Sequence, residues 1–192
     1  IYNIFLQKMS KRRISEIKLN EGLCDDPISE SLITRVASIN SSETVEILKN
    51  VEADVVVVNG TRIITSDVLE CIETPFINTH SGITPKYRGV HGGYWALASN
   101  DKANCGVTVH LVDKGIDTGG VLYQGIINIA DDDNFNSYPY LQIAAAIPLM
   151  KNAISDCCNN LIKVKQVALP SILWSHPTIF QYLLYRIFKG IK

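Results

Sequence analysis

The chain has 192 residues, of which 46% are hydrophobic and 19% are charged, and its formal net charge is −1. Such a chain can bury a sizeable core, which argues against intrinsic disorder and fits one domain, or one domain with a short appendage. The near-zero charge provides no general field for holding nucleic acid. No apolar run reaches the ~18 residues that a membrane-spanning helix needs.

The five cysteines, Cys24, Cys71, Cys105, Cys157 and Cys158, are odd in number and have no C-x-x-C spacing. This argues against a disulfide framework and against a structural zinc site, and it favours a reducing, cytoplasmic location. No signal peptide is visible at the N-terminus. The chain begins with Ile rather than Met, which is consistent with a fragment.

The first part of the chain predicts two helices and two strands. Apolar residues at helical spacing predict a helix over residues 1–18, and loose alternation indicates a strand over residues 33–39. Ser42 is predicted to cap a second helix with an acidic first turn. Residues 54–58 end in four successive valines, which favours a central, parallel strand buried on both faces.

The remaining pattern continues to alternate strands and helices. We expect strands at 76–80, 107–112 and 121–129, and helices at 66–70, 94–98, 134–160 and 179–191. This order indicates an α/β domain whose mainly parallel, Rossmann-like sheet is flanked by helices, with residues 151–192 as a helical C-terminal extension. In such sheets, ligands bind beyond the carboxyl ends of the strands.

Three polar side chains near predicted strand ends suit acyl transfer to an amine. Asn78 and His80 are two apart in a strand and therefore share a face, and Asp117 follows a later strand in a glycine-rich turn. A His beside a carboxylate can stay protonated near neutral pH and polarise a carbonyl oxygen. Asn78 can donate a second hydrogen bond to that oxygen, and Asp117 can accept a proton from the amine.

Four separated motifs carry a family resemblance. They are Asn-Thr-His at 78–80, Ile-Thr-Pro-Lys-Tyr-Arg-Gly at 83–89, Gly-Val-Thr-Val-His at 106–110 and Asp-Thr-Gly at 117–119. Together they resemble the 10-formyltetrahydrofolate-dependent formyltransferases, and the match covers residues 51–129. The resemblance implies a formyltransferase-like fold, 10-formyltetrahydrofolate as formyl donor, no metal, and Asn78, His80 and Asp117 as the catalytic set.

The resemblance also implies a folate pocket built from apolar side chains and main-chain groups. Its expected residues are Arg62, Ile63, Ile64, Val112, Asp113, Gly115 and Ile116. Arg88 and His91 are candidates for contact with the acceptor substrate, and His110 either contacts it or orders the site by hydrogen bonding. The acidic run at 131–133 could suggest a metal site, but we expect it to be a solvated helix cap.

The expected activity is transfer of a formyl group to a primary amine on a small acceptor, either glycinamide ribonucleotide or a nucleotide-linked amino sugar. Methionyl-tRNA is a weaker candidate, because the net charge is near zero and no small β-barrel follows the domain. Two alternatives stay open. One is hydrolysis of 10-formyltetrahydrofolate; the other is a non-catalytic or truncated folate-binding domain, because residues 1–32 show no opening strand–loop–helix unit.

The predicted partners are therefore a small amine and a folate, with neither nucleic acid nor a membrane. The helix at 179–191 carries Tyr182, Leu183 and Phe188. These residues either pack on their own domain or form a homodimer interface.

Overall fold

The structure is a computed structural model that describes residues 2–192, with side chains described from Ser10 onward. The helices are α1 (Tyr2–Asn20), α2 (Ser42–Val51), α3 (Ser66–Leu69), α4 (Gly92–Ala98), α5 (Tyr138–Cys158) and α6 (Ile179–Lys189). The strands are β1 (Val56–Val58), β2 (Phe76–His80), β3 (Arg88–Gly89), β4 (Gly106–Leu111), β5 (Val121–Ile126) and β6 (Leu173–Trp174). Within these residues, no helix combines the length and apolar character needed to cross a membrane.

The described strands form a four-stranded sheet in the order β1-β2-β4-β5 and a two-stranded sheet of β3 and β6. The α/β class is confirmed, but the main sheet is mixed rather than mainly parallel. β1 and β2 are parallel, whereas β4 runs antiparallel to both β2 and β5. The short link from β4 to β5 cannot hold a crossover helix, so these two strands form a hairpin.

The valine-rich strand differs from its prediction. β1 pairs only with β2 in the described sheet and lies at its edge, and Val57 is 44% exposed. The expectation of a central strand buried on both faces is therefore wrong. A continuous apolar run favours a strand with two buried faces, but it does not show how many neighbouring strands that strand has.

Two smaller predictions near the N-terminus also differ from the structure. Residues 33–39 form no strand, because no partner strand lies beside them to complete their hydrogen bonds. The cap of α2 is Ser41 rather than Ser42, and its side chain accepts a hydrogen bond from the Thr44 amide. The one-residue shift lets Ser41 Oγ also donate to the Ser38 carbonyl.

The core of the described residues has two parts, and helix α5 contributes to both. One cluster surrounds α4 and includes Tyr87, Tyr94 and Trp95. The other joins Ile77 and Val109, from β2 and β4, to the C-terminal half of α5. Together they fix β2 and β4 side by side, and this pair of strands carries the polar face described below.

Asp133, the last residue of the acidic run before α5, forms a buried ion pair, whereas Asp131 and Asp132 are exposed as expected. The Asp133 side chain is fully buried, and its two oxygens accept hydrogen bonds from Arg13 Nε at 2.8 Å and Arg13 Nη2 at 3.1 Å. Ser137 Oγ and the Ala130 amide also donate to it. These donors hold the pKa of Asp133 below its ordinary value, although burial alone would raise it.

Replacing Asp133 with Ala is expected to lower the free energy of unfolding by about 3 kcal/mol, because Arg13 loses its buried partner. The matched control is Asp132→Ala, since Asp132 is 63% exposed and lies 3.5 Å from the same guanidinium. We expect that change to cost less than about 0.5 kcal/mol. Urea unfolding of both variants measures the difference, and equal losses would contradict the assignment.

Candidate active site

The polar face of the site is built by two antiparallel strands. Asn78 lies opposite His110, and His80 lies opposite Thr108, in the register of β2 and β4. Directly opposed residues in an antiparallel pair point to the same face of the sheet. Alternation along each strand therefore gathers all four side chains on one side. His80, Thr108 and His110 are buried, and Asn78 is half-buried.

Asp117 reaches this face from a loop that folds back over the sheet. Because β4 runs antiparallel to β2, the end of β4 lies away from His80, and the carboxyl-end rule alone does not explain the contact. The loop after β4 turns back, and the Gly120 carbonyl accepts a hydrogen bond from the Leu111 amide. Asp117 itself has a left-handed backbone with φ 51°, a strained conformation of the kind that clusters at functional sites.

Both nitrogens of His80 lie beside oxygen acceptors. Nε2 is 2.6 Å from the Tyr87 carbonyl oxygen, and Nδ1 is 3.2 Å from Asp117 Oδ2. A carbonyl oxygen can only accept, so Nε2 carries a proton and donates it. Nδ1 faces the carboxylate and is the nitrogen that can gain or lose a proton.

Burial lowers the pKa of His80, and the Asp117 carboxylate and the Tyr87 carbonyl only partly oppose this effect. The carboxylate therefore does not keep His80 protonated near neutral pH, as the sequence had suggested. Burial would raise the pKa of Asp117, but the hydrogen bond from His110, the nearby charge of His80 and the Gly89 amide lower it. At neutral pH the pair is thus a neutral imidazole beside an ionised carboxylate.

His110 and Asn78 form the other half of the polar face. His110 Nδ1 donates to the Leu111 carbonyl oxygen at 2.7 Å, which fixes the ring. His110 Nε2 then lies 3.4 Å from Asn78 Nδ2 and 3.6 Å from Asp117 Oδ1. Nε2 therefore lies between two partners: with a proton it donates to the Asp117 carboxylate, and without one it accepts from the Asn78 amide.

These side chains form one wall of a cavity of about 520 Å³. This is within the size range of small-molecule sites. Most of the site residues predicted from the sequence line this cavity. They are Asn78, His80, Asp117, the seven folate-pocket residues, His91 and His110. Among the described residues, no group of three His, Cys, Asp or Glu side chains is arranged to hold a metal ion.

Arg88 is not among the residues that line this cavity. Its Nη1 donates to the Ile116 carbonyl oxygen at 3.0 Å, beside Asp117. The next residue, Gly89, donates its amide to Asp117 Oδ2 at 2.8 Å. Arg88 and Gly89 together therefore hold the Asp117 loop in place. Contact between Arg88 and an acceptor substrate stays a prediction.

His91 does line the cavity, and its Nε2 lies 3.0 Å from Nδ1 of the exposed His176. Burial, followed by the neighbouring His176, lowers the pKa of His91. Two ring nitrogens at this distance can share one proton only when at least one ring is neutral. At neutral pH, His91 thus adds a neutral polar edge to the cavity.

A segment near the C-terminus supports the loop that holds the site together. β3 pairs in parallel with β6, so Gly89 lies opposite Trp174. The Arg88 amide donates to the Ile172 carbonyl, the Val90 amide donates to the Trp174 carbonyl, and Trp174 Nε1 donates to the Lys86 carbonyl at 3.0 Å. The segment that looked like a helical extension thus braces the backbone that holds His80 and Asp117.

Several contributors to the site were missed from the sequence. The Tyr87 carbonyl and the Gly89 amide act through the backbone, and Trp174 acts from a distant segment without a motif. Gln142 lines the cavity from α5, and no pattern in the sequence distinguishes it from its helical neighbours. Only the Pro-Lys-Tyr-Arg-Gly motif signalled that the loop around Gly89 mattered.

Comparison with known sequences gives several matches. A methionyl-tRNA formyltransferase from Thermodesulfovibrio yellowstonii is 41% identical over 85 residues, which are 44% of this chain and 27% of that protein. One from Clostridium perfringens is 28% identical over 157 residues, 81% of this chain and 48% of that protein. The chain therefore spans about half or less of the length of these relatives.

Among solved structures, the formyltransferase PseJ from Anoxybacillus kamchatkensis superposes with a TM-score of 0.58 at 21% identity. The superposition covers 87% of this chain and 79% of PseJ, and at this identity it shows a shared fold. The family model described as formyl transferase matches residues 10–140, which is more than half of the chain. This chain belongs to the formyl transferase family.

Proposed function

We propose that this domain transfers a formyl group from 10-formyltetrahydrofolate to a primary amine on a small, phosphorylated or nucleotide-linked acceptor. The observation that carries the proposal is the meeting of Asn78, His80 and Asp117 on one wall of the 520 Å³ cavity. An amide donor, a neutral imidazole and a carboxylate are the groups that formyl transfer to an amine requires.

The other residues that line the cavity suit a flat heterocycle. They include a backbone run at residues 58–64 and the loop at 112–116, with Ile63 and Ile116 as large apolar side chains. Backbone N–H and C=O groups can pair with the polar edge of a ring, while the isoleucines cover its faces. 10-Formyltetrahydrofolate would supply the formyl carbon here and take up a proton on the nitrogen that the carbon leaves.

The residues of the polar face and Asp117 each have a separate role in the reaction. Asn78 donates an amide hydrogen to the formyl oxygen as negative charge develops there. The acceptor nitrogen forms its bond to the formyl carbon and loses a proton. The pair of neutral His80 and ionised Asp117 takes that proton, which then lies between Nδ1 and Oδ2, 3.2 Å apart. His110 holds Asn78 in the donating orientation.

A small acceptor is supported by two observations. PseJ, which shares the fold of this chain, was solved in complex with UDP-4,6-dideoxy-4-formamido-L-AltNAc and tetrahydrofolate. In addition, the net charge of −1 offers little attraction for tRNA. The sequence relatives nevertheless make methionyl-tRNA the competing acceptor to test.

The experiment is a comparison of acceptors at a fixed concentration of 10-formyltetrahydrofolate, followed by mass spectrometry of the formylated product. Glycinamide ribonucleotide, a nucleotide-linked 4-amino sugar and methionyl-tRNA are each supplied, and the Asp117→Asn variant serves as the blank. Formylation of one of the two small amines supports the proposal. Formylation of tRNA alone, release of free formate with every acceptor, or folate binding without turnover would each overturn it.

The lowered pKa of His80 predicts a pH profile. Neutral His80 is the proton acceptor, so kcat/KM for 10-formyltetrahydrofolate, which reports the free enzyme, should rise with pH through a pKa below 6.5 and then stay level. The free energy of unfolding should also increase as the pH rises toward 6.5. The unfolded chain binds the His80 proton more readily, so the folded state loses stability as the pH falls below 6.5.

The profile is measured by steady-state kinetics, with circular dichroism at each pH to confirm that the protein stays folded. If kcat/KM instead falls as the pH rises past 6.5, protonated His80 is the active form. The assignment of His80 as proton acceptor would then be wrong.

A further inference from the structure

The α6 helix is firmly docked on its own domain through one face. Tyr182 and Tyr185 pack against the α4 core cluster, and Tyr182 stacks on Tyr94 with ring centroids 6.2 Å apart. A reciprocal capping box closes its N-terminus, where Thr178 and Gln181 each bond the other's backbone amide. Gly190 closes its C-terminus in a left-handed conformation. The α6 helix is thus held in one position on the surface of the domain.

The opposite face of the α6 helix is apolar and exposed. We define the α6 outer face as Ile179, Phe180, Leu183, Leu184, Ile187 and Phe188. Their exposed fractions run from 37% for Leu183 to 78% for Phe188. Large apolar side chains offer about 200 Å² each when fully exposed, so this face leaves roughly 800 Å² uncovered. A typical monomer's largest apolar patch is only about 300–600 Å².

We propose that the α6 outer face is the interface of a homodimer, with the same face of a second copy lying across it antiparallel. A standard interface buries about 800 Å² on each partner, which matches the area left uncovered here. The six side chains carry no charge, and interface cores are depleted in charged residues and enriched in Phe. A two-fold axis makes the patch complementary to itself. The inference does not depend on the proposed formyl transfer.

The positions of the basic residues also favour a second copy over a membrane surface. A helix that lies on anionic lipid keeps its cations at the borders of the exposed face, toward the headgroups. Here Lys189 Nζ turns inward and donates to the Ala98 carbonyl, and Arg186 is half-buried with Nη1 3.3 Å from Tyr182 Oη. In an antiparallel pair, the Lys189 side chains of the two copies also lie at opposite ends and do not repel.

The test is sedimentation velocity on the whole chain over roughly a hundredfold concentration range around 1 μM. The chain is expected to sediment as a dimer at the upper end. Ile187→Glu, at the centre of the outer face, should raise the dimer Kd at least about 100-fold, because each dimer would bury two unpaired carboxylates. Leu19→Glu is the matched control, since Leu19 is 83% exposed on α1, and it should leave the Kd unchanged.

Each result decides the proposal. A concentration-dependent dimer that is lost only in Ile187→Glu supports it, with equal thermal melting curves to show that both variants fold. A monomer at every concentration, or a dimer that Ile187→Glu leaves intact, overturns it. A monomer that instead floats with vesicles of phosphatidylcholine and phosphatidylglycerol would assign the face to a lipid surface.

Discussion

Replacing Asp117 with Asn is expected to lower kcat for formyl transfer by roughly 10³-fold, within the usual range for removing a general base. The substitution keeps the shape of the side chain and one oxygen to accept from the Gly89 amide. Asn also tolerates the left-handed backbone at this position better than most residues. The loss would therefore report the missing charge beside His80 rather than a displaced loop.

This result is measured by single-turnover and steady-state kinetics with the acceptor identified above. KM for the acceptor should change less than kcat, because the carboxylate acts on a proton that leaves only during reaction. Thermal melting should stay close to that of the unaltered chain. A variant with kcat within about threefold of the original would remove Asp117 from the reaction.

Replacing Gly89 with Ala is expected to lower kcat by roughly 10²-fold, although Gly89 has no side chain that could take part in the reaction. A Cβ at this position would lie 2.3 Å from the Trp174 carbonyl oxygen, and the backbone φ of 91° already disfavours Ala. The loop must shift, and it carries the amide that holds Asp117 and the Tyr87 carbonyl that holds His80. A misplacement of about 1 Å at a reacting group can cost such a factor.

The matched control is Gly22→Ala. Gly22 has a similar left-handed φ of 63°, but a Cβ there meets nothing within 4 Å. That variant should lose about 1 kcal/mol of stability from backbone strain alone and keep its kcat. If both variants lose the same stability and both keep full kcat, the β3–β6 pairing has no part in positioning the site.

The site could be predicted in large part because its chemistry follows local patterns. Asn78 and His80 share a face for the simple reason that strand side chains alternate, and β2 has the predicted bounds. The motif order then placed Asp117 near them before any strand pairing was known. The folate-pocket residues followed from the resemblance, and each of them lines the cavity. Their catalytic and binding roles stay predictions until the experiments above are done.

Other features depend on contacts that periodicity does not encode. The direction of the pKa shift of His80 was not predicted, because burial lowers this pKa more than the adjacent carboxylate raises it. The hydrogen bond from Arg88 to the Ile116 carbonyl was not predicted, because the acceptor is a backbone atom 28 residues away. The acidic run looked solvated, because Asp133 and its partner Arg13 are 120 residues apart.

The sequence by itself determined the α/β class, the bounds of β2 and the choice of Asn78, His80 and Asp117 as site candidates. These follow from side-chain alternation and from motifs within a few residues. Only the tertiary structure decided that β4 runs antiparallel to β2 and that Asp117 therefore arrives on a folded-back loop. It also decided that Trp174 braces the loop at Gly89. Strand direction and long-range hydrogen bonds depend on which distant segments pack together. The local pattern of apolar and polar residues is the same for a parallel and an antiparallel strand.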